Sequence, residues 1–349
     1  MSHPPLAAEL GAAQIALRLA EALRERGHDA LAWSPEPLPP DTRWWNLWRR
    51  QTRAAELFAE ENGPFDVIDT PAISASRRLS RHGRLVARSV QPELRYLLVD
   101  VRSDLAERLS PGSLAHAVVA APRAAAILGG WRRASRILCL GTLELEWMRR
   151  RHPRWAGKLG LYVCGLPPEE RAVLADVRRG RRSPSGPGCR FLWIGRWSYQ
   201  KGVRRLEAFL RDRMAAHPRD TFTLAGCGPA AERRLPPEWL RAGRVRLVPS
   251  FPRRELPELL ASHDAGLFTS EVEGWGLSLA EMLESGLPVY ATEAGAVADL
   301  RPYFPGSLRP FPPPAEIAPA PPQDLEAGGY YERFSWPAVA RSYEEQVLR

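Results

Sequence analysis

The chain has 349 residues, of which 44% are hydrophobic and 26% charged, a composition that excludes a globally disordered protein. This length predicts two domains, each large enough for its own core. The sequence contains no apolar stretch of about 18 residues and opens without the apolar core of a secretory signal, so we expect a cytoplasmic protein.

The net charge of +9 is unevenly distributed. Residues 1–188 contain 29 Lys and Arg against 20 Asp and Glu, whereas residues 189–349 contain 20 of each. A basic half favours an anionic partner such as a membrane surface or an acidic substrate. We expect no nucleic acid partner, because no recognisable binding motif accompanies the charge. The four cysteines lack metal-ligand or CxxC spacing, so we expect buried apolar side chains in a reducing compartment.

Apolar periodicity predicts a first helix over residues 11–26, which ends at Gly27. Strand-like runs then alternate with helical patterns, which is typical of parallel sheets covered on both faces. The predicted strands of the first half lie at 31–33, 65–69, 84–90 and 135–140.

A stretch rich in Gly, Pro, Ser and Arg interrupts the alternation at residues 178–190 and predicts an interdomain linker. We therefore expect a first domain over residues 1–180 and a second over 189–335, with a final helix within 336–349 that packs back on the first domain. In the second half, strands are predicted at 191–195, 222–226, 244–251, 265–270 and 288–292, and helices at 203–214, 253–263 and 276–286. The Pro-rich stretch 310–322 predicts a loop or extended tether.

The most informative stretch is SEVEGWGLSLAEMLESGLP at residues 270–288. A predicted strand ends at Ser270, and a turn bracketed by glycines leads into a helix. Glycines let the backbone approach a ligand closely, and the free amides of a new helix bind anions such as a diphosphate. Glu273 and Glu281 supply carboxylates that accept hydrogen bonds from hydroxyl groups of a sugar ring or a ribose. The members of this binding stretch are Glu273, Gly274, Trp275, Gly276, Leu277, Ser278 and Glu281.

Two shorter motifs follow predicted strands. GRWSYQKG at residues 195–202 contains Gly195, Arg196 and Lys201, and these two cations are of the types that grip phosphate. Because arginine is the usual cation of this chain, a lysine at 201 favours a specific role. AGCGP at residues 225–229, with Gly226, is equally well explained as a turn.

Together these motifs resemble the retaining glycosyltransferases of family 4, also known as glycosyl transferases group 1, which have the GT-B fold. The resemblance covers most of residues 190–300 and includes the pair Glu273 and Glu281 at the family spacing. It implies two Rossmann-like, doubly wound domains that face a central cleft. In the first half it rests on weaker matches such as LAEALRERGHDA and FDVID.

The resemblance also implies a role for each matched residue. Arg196, Lys201 and the amides around Gly276 would bind the diphosphate of a UDP- or GDP-sugar, with Glu273 on the sugar and Glu281 on the ribose. Pro249, Ser250 and Phe251 would lie near the base. Transfer of a hexose would retain the anomeric configuration without a metal or other cofactor, on a route such as polysaccharide biosynthesis. The acceptor would be a glycan or a lipid-linked glycan.

Two departures from the family pattern fall in the first half. The buried strand that usually opens the family is absent from MSHPPLAAEL, and of the following Gly-rich loop only Gly11 remains. The family often carries a His after the strand that matches 84–90, where this chain reads Ser89-Val90-Gln91-Pro92-Glu93. Both departures bear on the acceptor side and on catalytic competence.

TRWWNLWRRQTR at residues 42–53 mixes Trp44, Trp45 and Trp48 with four arginines. Indole and guanidinium groups suit a membrane–water interface, so this stretch favours peripheral docking at the inner face of the cytoplasmic membrane. A helix that buries its tryptophans and solvates its arginines explains the same residues.

Three other functions remain open from the residues alone. The chain could be an inactive relative that binds a nucleotide sugar or a partner protein. It could be a glycoside hydrolase whose acid and nucleophile are Glu273 and Glu281, although the phosphate-binding surroundings oppose this. Nucleic-acid binding by the basic half is the third, although no recognisable motif supports it.

Overall fold

The computed structural model describes residues 1–2, 5–6, 11–35, 46–107, 111–181, 188–321 and 323–348. The chain forms two compact units: unit 1 comprises Met1–Gly165 and Glu332–Arg349, and unit 2 comprises Leu166–Tyr331. Each unit contains a parallel β-sheet with helices. The predicted α/β class with two domains is therefore confirmed.

Unit 1 contains a four-stranded sheet, within the described residues, in the order β1-β2-β3-β4. Its strands are β1 (Val67–Thr70), β2 (Arg84–Arg88), β3 (Arg136–Leu140) and β4 (Leu159–Tyr162). Its helices are α1 (Gly11–Glu25), α2 (Leu47–Asn62), α3 (Glu93–Glu107), α4 (Pro111–Arg133) and α5 (Thr142–Arg151). β2 and β3 bury four of their five residues each, as expected for parallel strands covered on both faces.

Unit 2 contains a six-stranded parallel sheet, again within the described residues, in the order β10-β9-β8-β5-β6-β7. Its strands are β5 (Arg190–Ile194), β6 (Thr221–Ala225), β7 (Val245–Val248), β8 (Ala265–Phe268), β9 (Val289–Ala291) and β10 (Leu308–Pro310). Its helices are α6 (Pro168–Gly180), α7 (Val203–Ala216), α8 (Ala230–Arg234), α9 (Pro237–Arg241), α10 (Leu256–Ala261), α11 (Leu277–Glu284) and α12 (Val297–Leu300). Strand order reverses between β5 and β8, so this sheet is doubly wound and ligands are expected at the carboxyl ends of these two strands.

The end of the chain continues through α13 (Tyr330–Arg333) and α14 (Trp336–Tyr343), followed by a π-helical turn at Glu344–Leu348. α14 lies against α1 and β4 of unit 1. Its N-cap is Ser335, whose hydroxyl accepts the amide hydrogen of Ala338, and its inner face buries Trp336 and Val339. The C-terminal helix is thus an integral part of unit 1.

The division between the units falls after Gly165, before the predicted linker at 178–190. α6 belongs to unit 2 because it packs on α10 and α11. Arg178 donates to the Glu284 carbonyl at 2.5 Å, and Arg181 donates to the Leu260 and Ser285 carbonyls at 2.9 and 3.1 Å. These guanidinium groups bind carbonyls at helix C-termini. From composition alone, the same arginines were interpreted as part of a linker. Of the predicted linker, residues 182–187 lie outside the described part.

The strand predicted at 31–33 is wrong. Residues 31–35 form no ladder, and Leu31 is 60% exposed. The carbonyl of Trp33 accepts instead from the amide of Ser2 at 2.8 Å, and the ammonium of Met1 donates to the carbonyl of Asp69 at 2.6 Å. The described strands of unit 1 consequently follow sequence order. β4 and β10 were not predicted; they are only four and three residues long.

Candidate functional site

The loops that follow β5 and β8 lie together where strand order reverses. The carbonyl of Gln200 accepts the amides of Glu271 and Val272 at 2.8 and 3.3 Å. The hydroxyl of Thr269 donates to the carbonyl of Lys201 at 2.8 Å and accepts from the indole of Trp193 at 3.0 Å. Two segments about seventy residues apart in sequence therefore form one rigid edge.

Two glycines make this close approach possible. Gly202 has a φ of +68°, and a Cβ on it would lie 1.8 Å from the carbonyl oxygen of Thr269, so no other residue fits. A Cβ on Gly195 would lie 3.3 Å from Cδ of Lys201. The motif GRWSYQKG thus carries its lysine across the end of the sheet toward the β8 loop.

Lys201 forms an ion pair with Glu273. The side chains are only 18% and 11% exposed, so water screens this pair less than a surface pair. The Glu273 carboxylate also accepts from the hydroxyl of Ser270 at 3.2 Å and from the amide of Gly274 at 3.3 Å. The cation from one motif and the carboxylate from the other meet, as a shared binding site requires.

α11 begins directly behind this pair. Its N-cap, Gly276, has a φ of +83°, and a Cβ there would lie 2.9 Å from the Phe268 ring. Within the described residues no group accepts from the amides of Leu277 and Ser278, which belong to the first helical turn. Free amides and the positive end of a helix dipole are features that favour an anion.

Glu281 is about one turn into α11, and its side chain is 3% exposed. Its Oε1 accepts from Nη2 of Arg253 at 2.6 Å. Burial raises the pKa of Glu281, and the positive charges of Arg253 and Lys201 act against that rise. The charge of Lys201, which pairs with Glu273, therefore also acts on the buried Glu281.

Arg253 and Glu170 were missed from the sequence. Arg253 follows β7, and besides Glu281 it contacts Glu170 of α6 at 2.6 Å. The prediction placed Pro249, Ser250 and Phe251 in this loop but gave no reason to single out an arginine in an Arg-rich chain. The string SFPRREL contains two adjacent arginines, and only the fold shows which one turns inward.

Five other predicted residues lie in the loops that follow β5, β6 and β7. Arg196 is exposed, and its guanidinium makes no ion pair with any residue that the structure describes. The loops after β5, β6 and β7 are joined by backbone hydrogen bonds: Gly195 donates to the Ala225 carbonyl at 2.9 Å, and Gly226 donates to the Val248 carbonyl at 2.8 Å. A Cβ on Gly226 would lie 3.7 Å from the Phe251 ring. Pro249 and Ser250 are exposed beside them.

Trp275 is buried, and Gly11 belongs to unit 1. Trp275 is 3% exposed, and its carbonyl accepts the amide of Ala296 at 2.9 Å, so it anchors the turn. Gly11 is the first residue of α1 in unit 1, and the preceding residues 7–10 lie outside the described part.

Two acids of unit 1, the partly buried Glu93 and the buried Glu144, lie at the carboxyl edge of its own sheet. Glu93 accepts from the amides of Ala72 and Ile73, and Glu144 accepts from the amide of Leu140 and the hydroxyl of Ser89. Burial raises the pKa of each carboxyl to about 7. The segment Ser89–Glu93, which lacks the family's histidine, therefore carries hydrogen-bonded groups of another kind.

No group of three or more His, Cys, Asp or Glu side chains in the described residues is arranged to hold a metal ion. Among those same residues, no helix combines the length and apolarity needed to cross a membrane.

Comparison with known proteins gives a family match within unit 2. Residues 188–312 match the model of the family described as glycosyl transferases group 1. Glycogen synthase of Mycobacterium tuberculosis is 32% identical over 127 residues, which cover 34% of this chain and 29% of that enzyme. The chain thus matches less than a third of that relative's length. The resemblance to the family is confirmed for this segment.

Two solved structures share the fold. Sucrose-phosphate synthase of Thermosynechococcus elongatus has a TM-score of 0.63 at 19% identity, over 97% of this chain and 89% of that one. HepE of Anabaena, crystallised with UDP-glucose, has a TM-score of 0.52 at 17% identity, over 97% and 92%. The predicted GT-B fold class is confirmed.

Proposed function

From the match of residues 188–312 to the group 1 glycosyltransferases, we propose that this chain transfers a hexose from a nucleotide-diphosphate sugar to a glycan or lipid-linked glycan. The observation that carries the proposal is the meeting of Lys201, Glu273 and the first turn of α11 at the reversal point of the unit 2 sheet. This arrangement places a cation, free amides and a carboxylate where doubly wound sheets bind ligands.

Each group has a proposed task. Lys201, exposed Arg196 and the amides of Leu277 and Ser278 bind the donor's diphosphate, and Glu273 accepts from hydroxyls of the donor sugar. Glu281 accepts from the ribose hydroxyls. Gly195, Gly226 and Gly274 leave room for the backbone to approach the nucleotide, and the 249–251 loop flanks the base.

The proposed reaction breaks the bond between the sugar's anomeric carbon and the diphosphate oxygen. The acceptor hydroxyl forms the new bond on the same face, and its proton passes to the departing phosphate, so the configuration is retained. Charge develops on the leaving diphosphate, and the protein accelerates the step by positioning and by stabilising that charge. Because Lys201, Arg196 and the helix end supply the positive charge, we expect activity to survive a chelator such as EDTA.

Support for a uridine nucleotide comes from HepE, which was crystallised with UDP-glucose. Support for a glycan acceptor comes from glycogen synthase. Placement on a polysaccharide pathway, and peripheral contact with an anionic membrane, are part of the same proposal.

A thermal-shift screen of UDP, GDP and their hexose conjugates tests donor binding, because a ligand that binds only the folded state raises its stability. Release of nucleoside diphosphate that depends on a glycan acceptor then tests turnover. Binding without turnover across a range of acceptors would indicate the inactive relative. Stability unchanged by any of these nucleotides would refute the proposed function.

A further inference from the structure

Arg253 belongs to none of the sequence motifs. The fold nevertheless places it against Glu281, a predicted ligand-binding carboxylate. It lies in the one-turn 3-10 helix that follows β7, whereas Glu281 lies on α11 and Glu170 on α6. Three elements of unit 2 therefore bring one guanidinium and two carboxylates together.

The Arg253 guanidinium donates hydrogen bonds to both carboxylates. Nη2 of Arg253 lies 2.6 Å from an oxygen of Glu170 and 2.6 Å from Oε1 of Glu281, and its Nε donates to the other oxygen of Glu170 at 3.3 Å. Glu170 thus binds the guanidinium through both oxygens, which fixes its plane. The orientation of that plane then fixes the Glu281 carboxylate.

Glu281 needs such a partner because its surroundings disfavour the charged form. Its side chain is 3% exposed, and burial raises its pKa, while Glu170 adds a like charge nearby. Arg253 is the largest influence in the other direction, followed by the more distant Lys201. A protonated carboxyl accepts fewer hydrogen bonds, so its ability to hold two ribose hydroxyls depends on this arginine.

We propose that Arg253, itself oriented by Glu170, is a positioning residue that keeps Glu281 ionised and aimed at the ribose of the nucleotide. The proposal rests on the proposed function, since it assumes a nucleotide in this site. Arg253 acts through Glu281 and need not touch the ligand.

The experiment measures the affinity of UDP and of 2′-deoxy-UDP for the full chain by calorimetry, from about pH 6 to about pH 9, a range on both sides of neutrality. The variants are Arg253→Gln, Glu281→Gln and Arg254→Gln. Arg254 is the matched control: it is adjacent, exposed and of equal charge, and it contacts neither glutamate. Binding of UDP to the unsubstituted chain tests the proposed function separately, before any variant is made.

The original chain and Arg254→Gln should prefer UDP over 2′-deoxy-UDP by about tenfold, which corresponds to about 1.4 kcal/mol. Loss of Arg253 raises the pKa of Glu281, so Arg253→Gln should lose this preference near neutral pH and regain it as the pH rises. Glu281→Gln should lack it throughout. A preference retained by Arg253→Gln at all pH values, or lost equally at all of them, would overturn the proposal. A uniform loss would assign Arg253 to direct contact or to folding.

Discussion

At the scale of single residues, the site is defined by pairs rather than by residue types. Lys201 and Glu273 were each predicted as ligand contacts, and the structure joins them in an ion pair. In the proposed function, this pair holds two charges in place for a phosphate and for the hydroxyls of a donor sugar. The consequence is that removing either partner changes the surroundings of its counterpart.

Lys201→Ala should weaken UDP and GDP binding by about 1.5–3 kcal/mol, the range for a hydrogen bond to a charged group. Isothermal titration measures the change. Arg211→Ala removes an equal charge from an exposed position on α7 and should leave the affinity unaltered. Equal affinity of the Lys201 variant and the original chain would remove this lysine from the diphosphate site.

Glu273→Gln should lower kcat by at least about tenfold while changing nucleotide affinity much less, because the proposed partner of this carboxylate is the donor sugar. The comparison requires steady-state turnover and UDP binding on the same preparation. Glu271→Gln is the matched control, since Glu271 is an exposed carboxylate two residues earlier in the same loop. A parallel fall in affinity would place Glu273 on the nucleotide.

At the scale of elements, the turn into α11 does most of the positioning. Gly276 has a left-handed backbone conformation that other residues adopt at a cost of about 1–2 kcal/mol. A Cβ added there would lie against the Phe268 ring. The turn, the free amides and both glutamates therefore depend on one short segment. Further along, Glu284 of the same helix is completely buried and accepts from the hydroxyl of Tyr330 at 2.8 Å.

Gly276→Ala should abolish donor binding and lower the melting temperature, because the added methyl group must displace the Phe268 ring at the start of the helix. Gly243→Ala is matched in backbone: its φ is +67°, and a Cβ there meets nothing within 4 Å. That variant should lose stability through the same backbone strain yet bind UDP normally. Thermal melts with and without UDP distinguish the two. Normal binding by Gly276→Ala would contradict the proposed role of the turn.

Glu284→Gln should become more stable relative to the original chain as the pH rises. Burial raises the pKa of Glu284 from 4.5 to about 7 in the folded chain. The contribution of Glu284 to the free energy of unfolding is therefore complete below about pH 4.5. It falls by up to about 3 kcal/mol as the pH rises through about 7. Glutamine keeps an acceptor for Tyr330 and cannot ionise. Melting curves between about pH 5 and about pH 8 measure the difference, with exposed Glu258→Gln as control. A pH-independent difference would show that Glu284 does not titrate on unfolding.

At the scale of the whole molecule, the charge asymmetry predicted from the sequence follows the units. Unit 1 carries 27 Lys and Arg against 20 Asp and Glu, and unit 2 carries 22 against 20. Of the Trp-rich stretch, Trp44 and Trp45 lie outside the described residues. Trp48 is half-buried against the core of unit 1, while Arg49, Arg50 and Arg53 are exposed on α2.

Membrane docking therefore remains a prediction, now assigned to the arginine face of α2. Vesicles with anionic lipid should sediment more protein than neutral ones at low salt, and the difference should fade as salt screens the charges. Replacing Arg49, Arg50 and Arg53 by Gln should remove most of the excess. The same replacement of Arg149, Arg150 and Arg151, exposed at the end of α5, is the matched control. Equal sedimentation with both vesicle types would make a soluble acceptor the better choice.

The sequence by itself determined the fold class, the alternation of strands and helices, and the motifs that carry Lys201, Glu273 and Glu281. Apolar periodicity and turn glycines are local properties, so they can be recognised without knowing what packs against what. That is also why the strand predicted at 31–33 was wrong. A strand needs a neighbour, and residues 31–35 pair with none within the described chain.

Only the tertiary structure decided the boundary after Gly165, the Lys201–Glu273 pair and the inward turn of Arg253. Each depends on contacts between residues far apart in sequence. In a chain where arginine is the usual cation, composition cannot show which arginine satisfies a buried carboxylate and which is solvated. Arg253 and Arg254 are adjacent and chemically identical, and the geometry of the loop after β7 alone makes one a partner of Glu281.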